Sequence, residues 1–109
     1  MLSANLPQKE DLNHYLKSNF KVYPNKDVTI IISLIELLIG DMKNLSIIDY
    51  GSSWGYMSYQ FKQISKHVQS FEISEPRKNY GNEYLGLNIV SAENDLKPKV
   101  DVFFSSHVI

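Results

Sequence analysis

Asp49, Gly51, Gly55 and Glu72 are the residues of this sequence whose types and spacing suit chemistry. The run Ile47-Ile48-Asp49-Tyr50-Gly51-Ser52-Ser53-Trp54-Gly55-Tyr56 reads as a strand that ends at Asp49 and Tyr50 and turns sharply into a helix. Gly51 and Gly55 permit positive φ or the close approach of a ligand to bare backbone. The helix that follows offers free N–H groups and partial positive charge beside the turn. Asp49 is then an acceptor at the carboxyl edge of a sheet, where open α/β folds bind ligands. Glu72 falls near the end of the next strand, Val68 to Ile73, about 20 residues past the glycine turn. A carboxylate there is placed to accept hydrogen bonds from the two hydroxyls of a ribose. Turn and carboxylate together point to a nucleoside-bearing cofactor.

The exact spacing narrows the choice. A dinucleotide fingerprint needs Gly-x-Gly-x-x-Gly, whereas positions 51, 53 and 56 hold Gly, Ser and Tyr. No Gly-Lys-Ser/Thr ending exists for a phosphate-cradling loop. Trp54 suits either stacking on a ligand or packing across the sheet edge. His107 follows the last strand and is the candidate proton acceptor for a hydroxyl or amine, although a lone histidine is more often structural. His14 and His67 have no carboxylate partner in sequence, and no metal-ligand spacing is present, so no metal is expected.

These residues need elements to hold them. Lys9 to Ser18 has Leu12, Tyr15 and Leu16 at helical spacing, and Tyr23-Pro24-Asn25-Lys26 breaks that helix. Asp27 is placed to cap a second helix running to Ile39, with Gly40 as its terminator. Its apolar residues cover more than one stripe, which predicts a well-buried helix. Strands are expected over 45–50, 68–73, 87–90 and 100–104, with helices over 56–66 and from Pro76 to Tyr84. That order is a half-wound parallel sheet with right-handed crossovers.

Composition sets outer bounds. The chain has 109 residues, 43% hydrophobic and 21% charged, which fits one globular domain. Its 11 basic and 12 acidic residues are intermixed, so no footprint for nucleic acid or anionic lipid stands out. The most apolar run, Val28 to Ile39, is shorter than the roughly 20 residues that span a membrane and includes Glu36. Zero cysteines exclude disulfides and thiolate metal sites. Without a secretory signal at the amino terminus, the expected location is the cytoplasm.

The segment from Asp49 resembles the first motif of the class I S-adenosylmethionine-dependent methyltransferases, an apolar strand followed by Asp/Glu-x-Gly-x-Gly-x-Gly. Asp49, Gly51, Ser53 and Gly55 stand in those four places. Phe71-Glu72-Ile73-Ser74 is similar to the family's second-strand motif, with Glu72 as ribose ligand. Ile89-Val90-Ser91-Ala92-Glu93-Asn94 is similar to the stretch beside the adenine, which brings in Glu93 and Asn94. Val100 to Ile109 is similar to the fourth strand and the motif after it.

The resemblance covers 45–109 and implies a Rossmann-like three-layer α/β/α domain there, with a parallel sheet of about four strands; the pattern over 1–44 adds a helical segment in front. The resemblance also implies S-adenosylmethionine as cofactor. The sulfonium methyl would pass to an O, N or C nucleophile, here expected on a small molecule or glycan. Ser53 replaces the family's middle glycine and fits if its φ stays negative. The family sheet has seven strands, so this chain reads as the amino-terminal, cofactor-binding half. The expectation is that it does not turn over alone and self-associates through the open edge of its sheet. A non-catalytic nucleoside-binding or interaction domain is the other reading.

Overall fold

The computed structural model describes residues 9–21, 26–97 and 99–105. Four parallel strands form one sheet in the order β3-β2-β1-β4. They are β1 (Ser46–Tyr50), β2 (His67–Phe71), β3 (Ile89–Val90) and β4 (Val102–Phe104). Each lies inside its expected run, apart from His67 at the start of β2, and two are shorter by two residues. In the register, Ile47 pairs with Val68 and Val102, and Asp49 with Ser70 and Phe104. Alternation therefore puts these six side chains on one face and Ile48, Tyr50, Gln69, Phe71 and Phe103 on the other.

Helices cover the first face. In α3 (Tyr56–Ile64), Phe61 is fully buried and meets Phe104 edge-on at 5.2 Å. Ile47, Val28 and Met42 complete that cluster. In α4 (Glu75–Tyr84), Pro76 occupies the first turn, where its missing N–H costs nothing. Gly81 of α4 packs closely: a Cβ there would displace the tip of Ile89 and come within 3.1 Å of the Trp54 carbonyl. The expected α1 (Lys9–Ser18) is present and feeds Leu12 into a second cluster with Phe20, Tyr56, Tyr80, Leu85, Leu87 and Ile89. Phe20 reaches it from a left-handed conformation, φ 65°, with its N–H on the Tyr15 carbonyl at 2.9 Å. Full burial of the ring, worth about 1.5–3 kcal/mol, outweighs the roughly 1–2 kcal/mol of that backbone.

The second face is crossed by the chain between β3 and β4. The Tyr50 hydroxyl donates to Glu93 at 2.6 Å, and Gln69 exchanges two hydrogen bonds with the Lys97 backbone at 2.6 and 3.2 Å. A crossover that moves from one sheet edge to the other on this side keeps the right-handed rule.

The second helix departs from expectation. It is α2 (Thr29–Leu38), and its N-cap is Val28, not the expected Asp27, which stands one residue earlier and accepts from the Thr29 N–H at 2.9 Å. A bond from the Thr29 hydroxyl, and with it the one from the Thr29 N–H, lowers the pKa of the Asp27 carboxyl. Gly40, at φ 114°, ends it. None of its residues is buried, however. The helix packs along one stripe, Ile31, Ile32 and Ile35, and its other apolar face, Ile30, Leu34, Leu37 and Leu38, is exposed. No described helix is long and apolar enough to cross a membrane.

Candidate functional site

The turn after β1 is tied to the end of β2. Gly51 and Ser52 both donate their N–H to the Phe71 carbonyl, at 2.8 and 2.9 Å. Gly51, Ser53 and Gly55 all have positive φ, 80°, 55° and 94°. The condition of negative φ at Ser53 is therefore not met. The chain places a serine where glycine is at ease, and the reason lies opposite it. Glu72 Oε1 accepts from the Ser53 N–H at 2.7 Å, while Oε2 accepts from the Ser74 N–H at 3.0 Å. A charge-assisted bond of about 1.5–3 kcal/mol offsets the roughly 1–2 kcal/mol of a left-handed residue. Glu72 has only 7% of its surface exposed and donates its own N–H to Val90 at 2.9 Å. It is a clamp as well as a strand-end carboxylate.

Gly55 serves packing. A Cβ there would lie 2.6 Å from the tip of Leu87 and would also have to adopt φ 94°, which side chains disfavour. Trp54 is committed on two sides, with Tyr80 edge-on at 5.4 Å and the Arg77 guanidinium 5.2 Å from its ring centre. Of its two expected roles, packing is the one these contacts describe. The Ser52 hydroxyl is buried and has no hydrogen-bond partner among the described residues.

Asp49 takes a different place from the one its sequence position suggests. It is 1% exposed, beneath the turn on the α3 side of the sheet. Its Oδ2 accepts from the Ser58 hydroxyl at 2.6 Å, and Ser58 accepts from Ser70 at 2.7 Å. The carboxyl group thus supports the turn from behind instead of standing open at the edge. Ser58 and Ser70 were not singled out in the sequence. Their signal was weak, a small polar residue on the buried face of α3 and another beside Val68 on the inward face of β2.

Glu93 opens the 3-10 turn Glu93–Asp95, and both Glu93 and its neighbour Asn94 are exposed. The hydrogen bond from Tyr50 brings Glu93 to the same end of β1 as the glycine turn, and it raises the Tyr50 pKa. Lys78 links α4 to the end of β3 through the Ser91 hydroxyl at 3.3 Å. Gly51, Ser53, Gly55 and Glu72 therefore converge, Glu93 and Asn94 flank them, and Asp49 lies underneath. His107 falls outside the described residues. No group of three or more metal-ligating side chains occurs among the described residues.

Solved structures share this architecture. DesVI of Streptomyces venezuelae superposes with a TM-score of 0.61 over 93% of this chain, at 13% identity. A Pyrococcus horikoshii protein assigned as an RNA methyltransferase gives 0.55 over 68% at 18% identity. Protein 1320 of Thermoplasma acidophilum gives 0.53 over 69%, also at 18% identity. The chain has a methyltransferase-like Rossmann fold. It spans 44%, 40% and 44% of those three chains. No protein-family model and no curated protein matches the sequence.

Proposed function

We propose that this chain binds S-adenosylmethionine across the carboxyl edge of its sheet, as the cofactor-binding part of a methyltransferase. The acceptor in this reading is an O, N or C nucleophile of a small molecule or glycan. The observation that carries it is the Glu72 carboxylate, fixed at the end of β2 beside three left-handed turn residues. A carboxylate has about four lone-pair sites, and the two backbone bonds leave capacity for ribose hydroxyls. The Ser52 hydroxyl, buried at the turn, is a second polar group suited to a ligand.

The cofactor supplies a methyl already activated on a sulfonium. The chain's own work is then binding, alignment and exclusion of water. The first N–H groups of α3 are the donors suited to a ligand carboxylate. Glu72 would orient the ribose, and the segment of Glu93 and Asn94 would flank the base. Asp49 acts through Ser58 and Ser70 by holding β1, β2 and α3 in one register.

Calorimetric titration tests the reading. S-adenosylhomocysteine should bind more tightly than NAD, since the turn lacks the third glycine that pyrophosphate needs. Tighter binding of NAD would overturn it. Methyl transfer from labelled S-adenosylmethionine to a small-molecule and glycan panel then separates an enzyme from a binding domain.

A further inference from the structure

Tyr50 ends β1, and its side chain lies on the sheet face opposite α3. Its ring stacks on Phe71 of β2 at 4.7 Å, with 20° between the planes, and meets Phe103 of β4 at 5.4 Å. Neighbours on both sides restrict the ring, so its hydroxyl has a fixed place. That hydroxyl donates to Glu93 Oε2 at 2.6 Å, across 43 residues of sequence. A charge-assisted O–H···O bond of this length belongs to the short, strong kind. The carboxylate raises the Tyr50 pKa, so the phenol keeps its proton and remains the donor at neutral pH.

Glu93 lies in the segment that leaves β3, and that segment is also fastened on either side of it. Lys78 reaches the Ser91 hydroxyl at 3.3 Å, and Gln69 exchanges its two bonds with the Lys97 backbone. Between them the chain makes the 3-10 turn Glu93–Asp95, closed by the N–H groups of Asp95 and Leu96 on the carbonyls of Ala92 and Glu93, both at 3.0 Å. The place of this turn matches that of a base. β2 stands between β3 and β1, so a ribose held at Glu72 has the end of β3 on one side and the glycine turn on the other. The N–H groups that open α3 suit the carboxylate end of the ligand, which leaves the base to the β3 side.

We propose that Tyr50 is a positioning residue for the base: its hydroxyl holds Glu93, and through Glu93 fixes the turn 93–95 as the wall against which the base is seated. The inference rests on the reading that Glu72 binds the ribose. Glu93 is then a fastener, and the base is left to Asn94 and the backbone of the turn. A wall that is not held must be ordered by the ligand, and affinity falls by that cost.

Titration of isotopically labelled protein with S-adenosylhomocysteine tests this in Tyr50→Phe, Glu93→Leu, Glu93→Gln and the double variant Tyr50→Phe with Glu93→Leu. Circular dichroism checks that each is folded at the temperature used. Tyr50→Phe keeps the stacked ring and removes the hydroxyl, and should weaken binding about fivefold. Glu93→Leu should cost as much, and the double variant no more than either alone, because the same bond is lost in all three. Glu93→Gln should stay near the wild type, since its amide oxygen still accepts from the phenol. In Tyr50→Phe the amide shifts of 93–95 on binding should shrink while those of Gly51 to Gly55 persist, whereas a general loosening of the fold would change both. Tyr50→Phe binding like the wild type, losses that add in the double variant, or Glu93→Gln as weak as Glu93→Leu would each overturn the proposal and leave the nucleoside site standing. A wild type that binds no S-adenosylhomocysteine would remove the site itself, and the proposal with it.

Discussion

Glu72 clamps the turn through two backbone bonds and is the proposed ribose ligand, so its substitution tests both roles. The carboxylate is buried and holds two backbone N–H groups, so removing it leaves both donors unsatisfied. Glu72→Ala should lower stability by about 2–4 kcal/mol in urea unfolding and S-adenosylhomocysteine affinity at least roughly tenfold. A variant as stable as the wild type would remove the clamp, and unchanged affinity would remove the ligand role. Ser53 offers the converse change. Its φ of 55° is a glycine conformation, so Ser53→Gly should gain up to about 1 kcal/mol with the turn unchanged. A melting temperature that falls would mean the serine side chain contributes something beyond its backbone. At this scale the sequence showed which residues gather: the acid on the second strand and the glycines of the turn were legible from type and spacing. It did not show that Ser53 turns left-handed, nor that Asp49 faces inward, because both depend on side chains 19 and 9 residues away, Glu72 and Ser58.

Among the elements, the helices and strands follow from local signals, Pro76 opening α4 and Gly40 closing α2. Burial of α2 did not follow. Periodicity counts apolar residues and says nothing about what lies opposite them, so a helix with two apolar faces and one neighbour was read as interior. The junction of α3 and α4 makes a pH prediction. Tyr56 and Tyr80 meet hydroxyl to hydroxyl at 3.3 Å, and burial pushes the pKa of both above the ordinary tyrosine value. A raised value in the folded state means that the unfolded chain ionises first. The pair's contribution is intact below the ordinary value of 10.0 and is lost as pH rises beyond it. Urea unfolding from pH 8 to 11 should show stability falling above about pH 10, and less steeply in Tyr56→Phe. An equal slope in that variant would contradict the burial of Tyr56.

For the whole molecule, the net charge is −1 with acids and bases intermixed along the sequence. The open sheet edge is a short template for self-association, because β4 has only three residues. The left-handed turn and Glu72 are the proposed seat of the nucleoside. Titrating isotopically labelled protein with S-adenosylhomocysteine and following backbone amide shifts reads this directly. Saturable shifts are expected, largest at Gly51 to Gly55 and at Glu72 to Ser74, with α2 unmoved. No saturable shift, or shifts gathered on α2 and absent from the turn, would contradict it.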